Sequence, residues 1–247
     1  MRIGLFIPCY INQFYPQAAI ASLELLEKQG LDVKYPLNQT CCGQPMANSG
    51  FEKSAKETYQ LFIKNFHSYD YIVSPSGSCV YHVRKHFDII DQTEEVVHVR
   101  NNTYELCEFL VSILGIENLK AEFPFKVGLH QSCHGLRGLH LGKPSEIIEE
   151  AGKDNASIPY KLLSKVKGIE LVNLERADEC CGFGGTFSVV EESVSVKMGI
   201  DRIHDHIKNK AEIITATDMS CLMHLEGIIK RKNLPVKVKH IAEILNA

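Results

Sequence analysis

Short apolar runs alternate with amphipathic segments along the whole chain. The run RIGLFI at residues 2–7 is typical of a buried strand. In the segment that follows, residues 15–30, the side chains of Ile20, Leu23 and Leu26 recur at helical spacing, which predicts an amphipathic helix. The alternation continues to the end of the chain, and it predicts an α/β protein in which helices cover parallel sheets.

The other predicted elements continue this pattern. Strands are predicted at further short apolar runs, which are residues 32–36, 70–75, 126–132, 169–174 and 211–217. Helices are predicted at residues 52–66, 101–119, 160–166 and 189–208, and the second of these is interpreted as closing the first unit of the fold. The densest basic run, residues 228–240, is interpreted as a solvated helix end and loop.

The second half of the chain repeats the sequence pattern of the first half. MRIGLFIPCY at residues 1–10 matches FKVGLHQSCH at residues 125–134, since both carry Gly-Leu in an apolar run and then a cysteine. Each half goes on to a Cys-Cys-Gly motif, and later to a strand that leads into Ser-Cys. Three correspondences in the same order indicate an internal duplication.

The duplication predicts the domains and the location of the cysteines. We expect two tandem small parallel-sheet α/β units, residues 1–120 and residues 121–247. Ligands of such sheets bind beyond the carboxyl ends of the strands, and the repeated cysteines fall there, so each unit should carry its thiols on one rim. The gap before the second Cys-Cys-Gly is longer, and residues 135–159 are predicted to form an insertion loop with a short helix at about residues 145–151.

Composition and charge restrict the class of protein. The 247 residues are 45% hydrophobic and 23% charged, as expected for a soluble globular protein of one or two domains. A formal net charge of −3 at pH 7 argues against a nucleic-acid-binding surface. The N-terminal apolar stretch is too short for a signal peptide, and no apolar run approaches the roughly 20 residues of a membrane span, so a cytoplasmic location is expected.

The cysteines point to metal or redox chemistry. A disulfide framework is not expected for nine cysteines in a reducing compartment. Eight of them occupy duplicated positions, so each half offers the four thiols that an iron–sulfur cluster or a tetrahedral zinc site needs: Cys9, Cys41, Cys42 and Cys79 in the first half, and Cys133, Cys180, Cys181 and Cys221 in the second.

The adjacent cysteines favour a cluster over a single ion. Neighbouring side chains in an extended segment point apart, so paired thiols reach two irons of a cluster more easily than one small ion. Gly43 and Gly182, which follow the two pairs, permit a positive φ and a close approach of backbone N–H groups to anionic sulfur. A zinc site is the alternative.

Other residues near the motifs receive a structural interpretation. Cys107, on the predicted helix at residues 101–119, is expected to be a buried apolar side chain. His82, His134 and His224 follow cysteines closely, and they are expected to lie on helix faces or beside the ligands rather than to bind metal. The glycines of CCGFGG are expected to make room for a cluster, because neither a P-loop nor a G-x-G-x-x-G spacing is present.

Two copies of Cys, Cys-Cys-Gly and x-x-Cys resemble the cysteine-rich CCG domains of heterodisulfide reductase. They also resemble the iron–sulfur subunits of glycolate oxidase and anaerobic glycerol-3-phosphate dehydrogenase. With a length of about two such domains, the chain most closely resembles the lactate utilization protein A family, which works with two partner proteins in oxidising L-lactate to pyruvate. The resemblance implies an iron–sulfur electron-transfer subunit of that oxidoreductase system, with the other subunits as partners and no assigned catalytic residue.

The chain departs from the fuller CCG pattern, which ends in Cys-x-x-Cys and so supplies a fifth sulfur. Ser76 and Asp218 stand where the first of these cysteines is expected. Four-thiolate [4Fe–4S] clusters are therefore predicted in both halves, with Ser76 and Asp218 as candidate additional ligands. The alternatives are a zinc-stabilised partner-binding module and a subunit of another CCG-type reductase or dehydrogenase.

The cysteine rim is expected to face the partner proteins. Residues 43–46, 134–142 and 182–187 flank the thiols and are predicted to border the docking surface. Arg137 and His140 are expected to add positive charge there and to attract acidic partners.

Overall fold

The first half of the chain forms a sheet with helices between its strands. The computed structural model describes residues 1–147 and 157–247. In chain order the elements of the first half are β1 (Arg2–Leu5), α1 (Cys9–Phe14), α2 (Pro16–Glu27), β2 (Asp32–Lys34), α3 (Gln44–Asn48), α4 (Lys56–Phe66), β3 (Tyr71–Ser74), α5 (Gly77–His86), α6 (Glu94–Asn101), β4 (Thr103–Glu105) and α7 (Leu106–Glu108). A 3₁₀ turn precedes α4, another follows α5, and a π-helical turn extends α7.

The second half repeats this arrangement. Its elements are β5 (Lys126–Leu129), α8 (Ile158–Leu163), β6 (Glu170–Leu171), α9 (Phe187–Val190), α10 (Glu192–Lys208), β7 (Ile213–Ala216), α11 (Met219–Lys232), β8 (Lys237–His240) and α12 (Ile241–Leu245). A π-helical turn (His134–Gly138) and a 3₁₀ turn (Ser145–Ile147) lie between β5 and α8. The short helix predicted at residues 145–151 begins in that 3₁₀ turn, and the rest of it lies outside the described residues.

Both sheets are parallel and have the same topology. The strand orders are β2-β1-β3-β4 and β6-β5-β7-β8. The registers also correspond, because Gly4 pairs with Ile72 in the first sheet and Gly128 pairs with Ile214 in the second. The predicted fold class, two tandem parallel α/β units related by duplication, is confirmed. The division of the chain after residue 120 stays a prediction.

One of the two outer strands of each sheet was not predicted. β4 lies within residues 101–119, where the pattern predicted one helix, and β8 lies within residues 228–240, where it predicted a helix end and a loop. Both pair on one side only. β4 shows little apolar periodicity, whereas valine and lysine alternate at residues 236–239, a strand signal that the interpretation as a helix end and loop overlooked. The helix predicted at residues 189–208 is divided into α9 and α10 at Glu191, whose backbone is not helical (φ −115°, ψ 49°).

The two halves share a hydrophobic core. Buried residues such as Leu25 of the first half and Ile241 of the second belong to one continuous cluster, in which α12 packs against α2. Polar contacts reinforce this packing, since Tyr15 Oη donates a hydrogen bond to Glu226 Oε2 at 2.8 Å. Within the two described ranges, no helix combines the length and the apolar composition needed to cross a membrane.

Candidate metal centre

The duplicated cysteines lie beyond the carboxyl ends of the strands. In the first half, Cys9 begins α1 after β1, Cys41 and Cys42 lie in the loop after β2, and Cys79 lies in the first turn of α5 after β3. The second half places its cysteines at the corresponding points after β5, β6 and β7. Because neighbouring parallel strands end at the same edge of a sheet, these loops bring the thiols of each half together.

Adjacent cysteines of the first half contact different partners. Cys9 Sγ lies 4.0 Å from Cys41 Sγ, and Cys42 Sγ lies 3.3 Å from Cys79 Sγ. Cys42 and Cys79 are buried, whereas Cys9 and Cys41 are half-buried. Of the two neighbouring cysteines, Cys42 is therefore the more deeply buried, and each has its own partner from another segment.

The second half has the same division into an outer and an inner pair. Cys133 and Cys180 are half-buried and interact with each other, and Cys181 and Cys221 are buried. At the inner pair the two sulfur atoms and a ring nitrogen of His130 all lie within 4.8 Å of one another. An imidazole nitrogen also lies near the outer pair of this half, since His134 Nδ1 is 3.9 Å from Cys133 Sγ.

Both groups of thiols line one cavity. This cavity has a volume of about 320 Å³, and all eight duplicated cysteines contribute to its lining. Ser76 and Asp218 belong to the lining as well, and the two residues form an isolated antiparallel bridge between the halves. The sequence predicted a separate site in each half, whereas the bridge brings the two groups into a common space.

Backbone N–H groups stabilise negative charge on the outer sulfurs. Gly43 N donates a hydrogen bond to Cys41 Sγ at 3.3 Å, and Gly182 N donates to Cys180 Sγ at 3.4 Å. These glycines have φ values of +91° and +89°, a region that other residues rarely adopt. One inner cysteine of each half lies in the first turn of a helix, Cys79 in α5 and Cys221 in α11. The helix dipole at that end also favours an anion.

Hydrogen bonds among the thiols favour one thiolate in each adjacent pair. Those from the thiols of Cys42 and Cys9 lower the pKa of Cys41 to about 3. Hydrogen bonds from the thiols of Cys133 and Cys181 likewise hold the pKa of Cys180 well below its usual range. The donating thiols keep their protons, and the pKa values of Cys9 and Cys133 are raised accordingly. Thiolate is the form of cysteine that binds metals.

The sulfur spacing fits thiolates that bind metal. Two thiolates on one tetrahedral metal atom lie about 3.8 Å apart when the metal–sulfur bonds are about 2.3 Å long. The separations of 4.0 Å and 3.3 Å in the first half lie on either side of that value. Four convergent thiols, two of them buried, are therefore a suitable donor set for a metal ion or an iron–sulfur cluster.

Ser76 and Asp218 cap the helices that carry the last cysteine of each half. Ser76 Oγ accepts a hydrogen bond from Cys79 N at 3.3 Å, and Asp218 Oδ1 accepts one from Ser220 N at 3.2 Å. Asp218 Oδ2 also accepts a hydrogen bond from Ser78 N of the first half, at 2.7 Å. The oxygen atoms are thus engaged in capping, and their role as additional ligands stays a prediction.

Most histidines that follow the cysteines have partners of their own. A hydrogen bond of 2.9 Å joins His82 Nε2 to Tyr59 Oη, and His224 Nε2 donates to the carbonyl oxygen of Ser195 at 3.3 Å. His134 lines the cavity beside the outer pair of the second half. These positions agree with the expectation that the three rings lie beside the ligands.

Sequence reasoning did not single out His130. This residue follows β5 and is 1% exposed. Alignment of the two halves places it opposite Phe6, and a polar residue at the buried end of a strand is the signal that could have identified it. Cys107, in contrast, is completely buried in the core, as expected for an apolar side chain.

The insertion is tied to the second group of thiols. Arg137 Nε donates a hydrogen bond to Glu146 Oε1 at 3.0 Å, and Arg137 Nη2 donates to Asp178 Oδ2 at 3.1 Å. Asp178 precedes the second Cys-Cys-Gly by two residues. Because two carboxylates pair with the guanidinium, the predicted attraction of acidic partners by Arg137 gains no support.

The chain is similar to known cysteine-rich proteins over its whole length. A family model described as "CCG: Cysteine-rich domain" matches residues 3–84 and residues 127–226. Lactate utilization protein A of Geobacillus sp. (strain WCH70) is 40% identical over 252 residues, which cover 100% of both chains. Lactate utilization protein A 1 of Bacillus mycoides (strain KBAB4) is 38% identical, over 100% of this chain and 97% of that protein.

A solved structure shares the fold at low sequence identity. The crystal structure of a hypothetical protein from Helicobacter pylori superposes with a TM-score of 0.60 and 13% identity. The match covers 99% of this chain and 48% of that one, so this chain spans about half the length of that protein.

Proposed function

This chain belongs to the lactate utilization protein A family and contains two cysteine-rich CCG segments, and on that premise we propose that it is the iron–sulfur electron-transfer subunit of an L-lactate-oxidising system. The observation that carries the proposal is the convergence of eight thiols in one cavity. The names of the relatives support lactate as the substrate of the system. Oxidation of lactate to pyruvate releases two electrons and two protons, and we assign that step to a partner protein, because the sequence carries no flavin or nicotinamide motif.

The thiols of each half are proposed to hold one [4Fe–4S] cluster. An iron–sulfur cluster takes up and releases single electrons when it is bound. The residues of this chain keep the ligands charged and in place, through the N–H groups of Gly43 and Gly182 and through the first turns of α5 and α11. The proposed ligands are Cys9, Cys41, Cys42 and Cys79 for one cluster, and Cys133, Cys180, Cys181 and Cys221 for the other.

The sulfur spacing supports a second candidate function. Each iron of a cubane cluster takes one thiolate, whereas separations of 4.0 Å and 3.3 Å suit two thiolates on one metal atom. Such pairs also occur on each iron of a [2Fe–2S] cluster, and a zinc ion binds thiolates in the same way. The second candidate is therefore a zinc-stabilised module that binds partner proteins and carries no electrons.

Anaerobic purification separates the two candidates. We expect a brown protein whose absorption in the visible blue is bleached by dithionite, with about eight irons and about eight acid-labile sulfides per chain if both clusters are [4Fe–4S]. About half that iron, with an equal amount of sulfide, would indicate [2Fe–2S] clusters. A colourless protein with stoichiometric zinc and no sulfide would contradict electron transfer and favour the zinc module.

The place of the chain in lactate oxidation needs a second measurement. The purified chain should accept electrons from lactate only when its partner proteins are present, which lactate-dependent reduction of a dye would measure. Omission of this chain should abolish electron flow to the dye, and addition of the metal-loaded chain should restore it. Equal dye reduction with and without the chain would contradict its role as the electron carrier.

A further inference from the structure

His130 is a buried imidazole beside the inner thiols of the second half. Its side chain is 1% exposed, and its backbone is fixed at the end of β5, where His130 N donates to the carbonyl oxygen of Thr215 at 2.7 Å. Among the described residues, neither Nδ1 nor Nε2 of His130 has a nitrogen or oxygen partner, and the group that interacts with the ring is the Cys221 thiol. A buried polar ring costs free energy unless it is bonded, so a ring whose neighbour is a thiol of the inner pair indicates a ligand-binding role.

The ring is placed for metal binding. One of its nitrogens, Cys181 Sγ and Cys221 Sγ all lie within 4.8 Å of one another. Donors on one tetrahedral metal atom lie about 3.5–3.8 Å apart when its bonds are about 2.3 Å to sulfur and about 2.0–2.1 Å to nitrogen. Small side-chain rotations would bring this trio to such distances.

We propose that His130 is a metal ligand of the second site, together with Cys181 and Cys221, so that the duplicated sites hold chemically different centres. The proposal rests on the proposed function only in requiring that the second site binds a metal ion or cluster. His130 then serves in place of one of the four thiolates of that half and makes the centre a mixed thiolate–imidazole one.

The first half has no equivalent nitrogen donor among the described residues. Phe6 stands at the position of His130, and its ring packs against Phe62 and Phe66 with centroid distances of 4.8 Å and 5.8 Å. The nearby histidine of that half, His82, is bonded to Tyr59 Oη at 2.9 Å. Both halves therefore have the four thiols. Behind them the first half has an apolar aromatic cluster, and the second half has an imidazole.

The difference gives the two sites different electronic properties. An imidazole ligand is neutral, whereas a thiolate is anionic, and replacement of thiolate by histidine raises the reduction potential of an iron–sulfur centre. In an iron-loaded protein the second site is then the one of higher potential, and electrons pass from the first site to the second.

The test compares four forms of the whole chain, all purified anaerobically. These are the wild type, His130→Gln, His130→Cys and His206→Gln. The ring of His206 is a matched control, because it is fully buried in the same half and also lacks nitrogen or oxygen partners among the described residues, yet it lies outside the trio. Circular dichroism and the metal content of the first site report whether each variant is folded.

Pulsed electron paramagnetic resonance of the dithionite-reduced protein detects a nitrogen ligand directly. We expect the strong ¹⁴N coupling of a directly bound imidazole in the wild type and in His206→Gln, and only the weak coupling of backbone N–H groups such as that of Gly182 in either His130 variant. His130→Gln should lower the metal affinity of the second site at least about tenfold. His130→Cys should retain the metal but lower the potential of the second site and leave the first unchanged. Unchanged ¹⁴N coupling or unchanged metal affinity in His130→Gln would overturn the proposal.

A zinc-containing protein would refute electron transfer without deciding the role of His130. In that case Co(II), added to the zinc-free chain, serves as the probe. A shift of the visible Co(II) bands in His130→Cys, and none in His206→Gln, would support ligation by His130. Identical Co(II) spectra of the wild type and His130→Cys, or the absence of any metal from the second site, would contradict it.

Discussion

Asp218 Oδ2 accepts a hydrogen bond from the backbone N–H of Ser78 at 2.7 Å, across the boundary between the two halves. Through Oδ1 the same carboxylate accepts one from the N–H of Ser220 at 3.2 Å. Ser78 and Ser220 lie in the first turns of α5 and α11, so one buried side chain caps the two helices that carry Cys79 and Cys221. Asp218 therefore fixes one group of thiols relative to the other.

Removal of this carboxylate should destabilise the protein. Asp218→Ala leaves two N–H groups at the boundary without their acceptor, and we expect the free energy of unfolding to fall by about 1–3 kcal/mol. Asp218→Asn keeps one acceptor oxygen and should lose less. Anaerobic urea denaturation measures both variants, with Asp32→Asn, an exposed residue paired with Lys34, as the control that changes little. Equal stability of Asp218→Ala and the wild type would mean that the boundary does not depend on this cap.

Loss of one outer thiolate should remove the metal from one group only. Cys41→Ser and Cys180→Ser should each lose about half of the metal per chain, and the double variant should lose nearly all of it, because the two groups use different thiols. Cys107→Ala is the matched control, since Cys107 is completely buried outside the cavity lining. Iron, sulfide and zinc are measured per chain after anaerobic purification. Full metal content in both serine variants would refute the ligand assignment.

The glycines after the adjacent cysteines should not tolerate a side chain. A Cβ atom at Gly43 would lie 2.5 Å from Cε1 of the buried Tyr59, and one at Gly182 would lie 2.6 Å from the carbonyl oxygen of Ser195. Both positions also have a positive φ, so we expect Gly43→Ala and Gly182→Ala to cost at least about 1 kcal/mol of stability and to weaken metal binding.

A third glycine provides the control for these two variants. Gly227 lies inside α11, and a Cβ atom there would meet nothing within 4 Å. Gly227→Ala should therefore retain its metal and gain up to about 1 kcal/mol from the higher helix propensity of alanine. Thermal unfolding and metal analysis of the three variants test the comparison. Equal behaviour of Gly43→Ala and Gly227→Ala would show that the close approach to Tyr59 is not needed.

The strands and the cysteine positions were predictable because their signals are local. The apolar runs at residues 2–7 and 126–132 contain β1 and β5, and the repeated Cys-Cys-Gly reveals the duplication without any structural information. The edge strand β4 carries no such signal, because it has three residues within a predicted helix and obtains its stability from pairing with β3. In β8, valine and lysine alternate at residues 236–239, which is a local strand signal that the interpretation as a helix end and loop overlooked.

The shared cavity was not predictable from either half alone. It depends on contacts between distant residues, such as the 3.4 Å hydrogen bond between Ser76 Oγ and Asp218 Oδ2, which are 142 positions apart. In each half the motif determines which residues follow the ends of the strands. It does not determine whether the cysteine-bearing edge of one sheet faces that of the other. The polar residue at His130 was accessible in principle, because the duplicated position is occupied by Phe6.

A buried carboxyl group should make stability depend on pH. Glu105 is 0% exposed, and burial raises its pKa from 4.5 to about 8, with the neighbouring Glu108 and Asp218 charges acting in the same direction. Between these two pH values the unfolded chain releases the proton while the folded chain keeps it. The unfolded state then binds fewer protons, so the free energy of unfolding falls as the pH rises from 4.5 to about 8.

Glu105→Gln should remove this contribution to the pH dependence. The variant keeps the shape of the protonated acid and cannot ionise, so its stability relative to the wild type should rise between pH 6 and about pH 8 and then level off. Denaturant unfolding at several pH values measures the difference, with Glu94→Gln in the exposed first turn of α6 as the control. A stability difference that stays constant from pH 6 to about pH 8 would show that Glu105 is already ionised in the folded protein.

The mouth of the cavity presents apolar side chains to solvent. Val189 of α9 contributes to the lining and is 79% exposed, and the adjacent Val190 is 69% exposed. The predicted border at residues 182–187 leads directly into this helix, and Thr186 Oγ1 lies 2.8 Å from Ser49 Oγ of the first half, which also lines the cavity. Exposed apolar residues beside a binding site are typical of a docking surface.

A charge at this position should weaken docking without affecting the metal. We expect Val189→Glu to reduce the affinity for the partner proteins about tenfold, because docking would bury the new carboxylate without a partner. Metal content should remain that of the wild type, since Val189 donates no ligand atom. Val97→Glu is the matched control, as Val97 is an exposed valine on α6 outside the cavity lining. Affinity is measured with the purified partner proteins, and electron flow by lactate-dependent dye reduction. If both variants bind the partners as the wild type does, the partners dock on another face, and the cavity mouth has a different function.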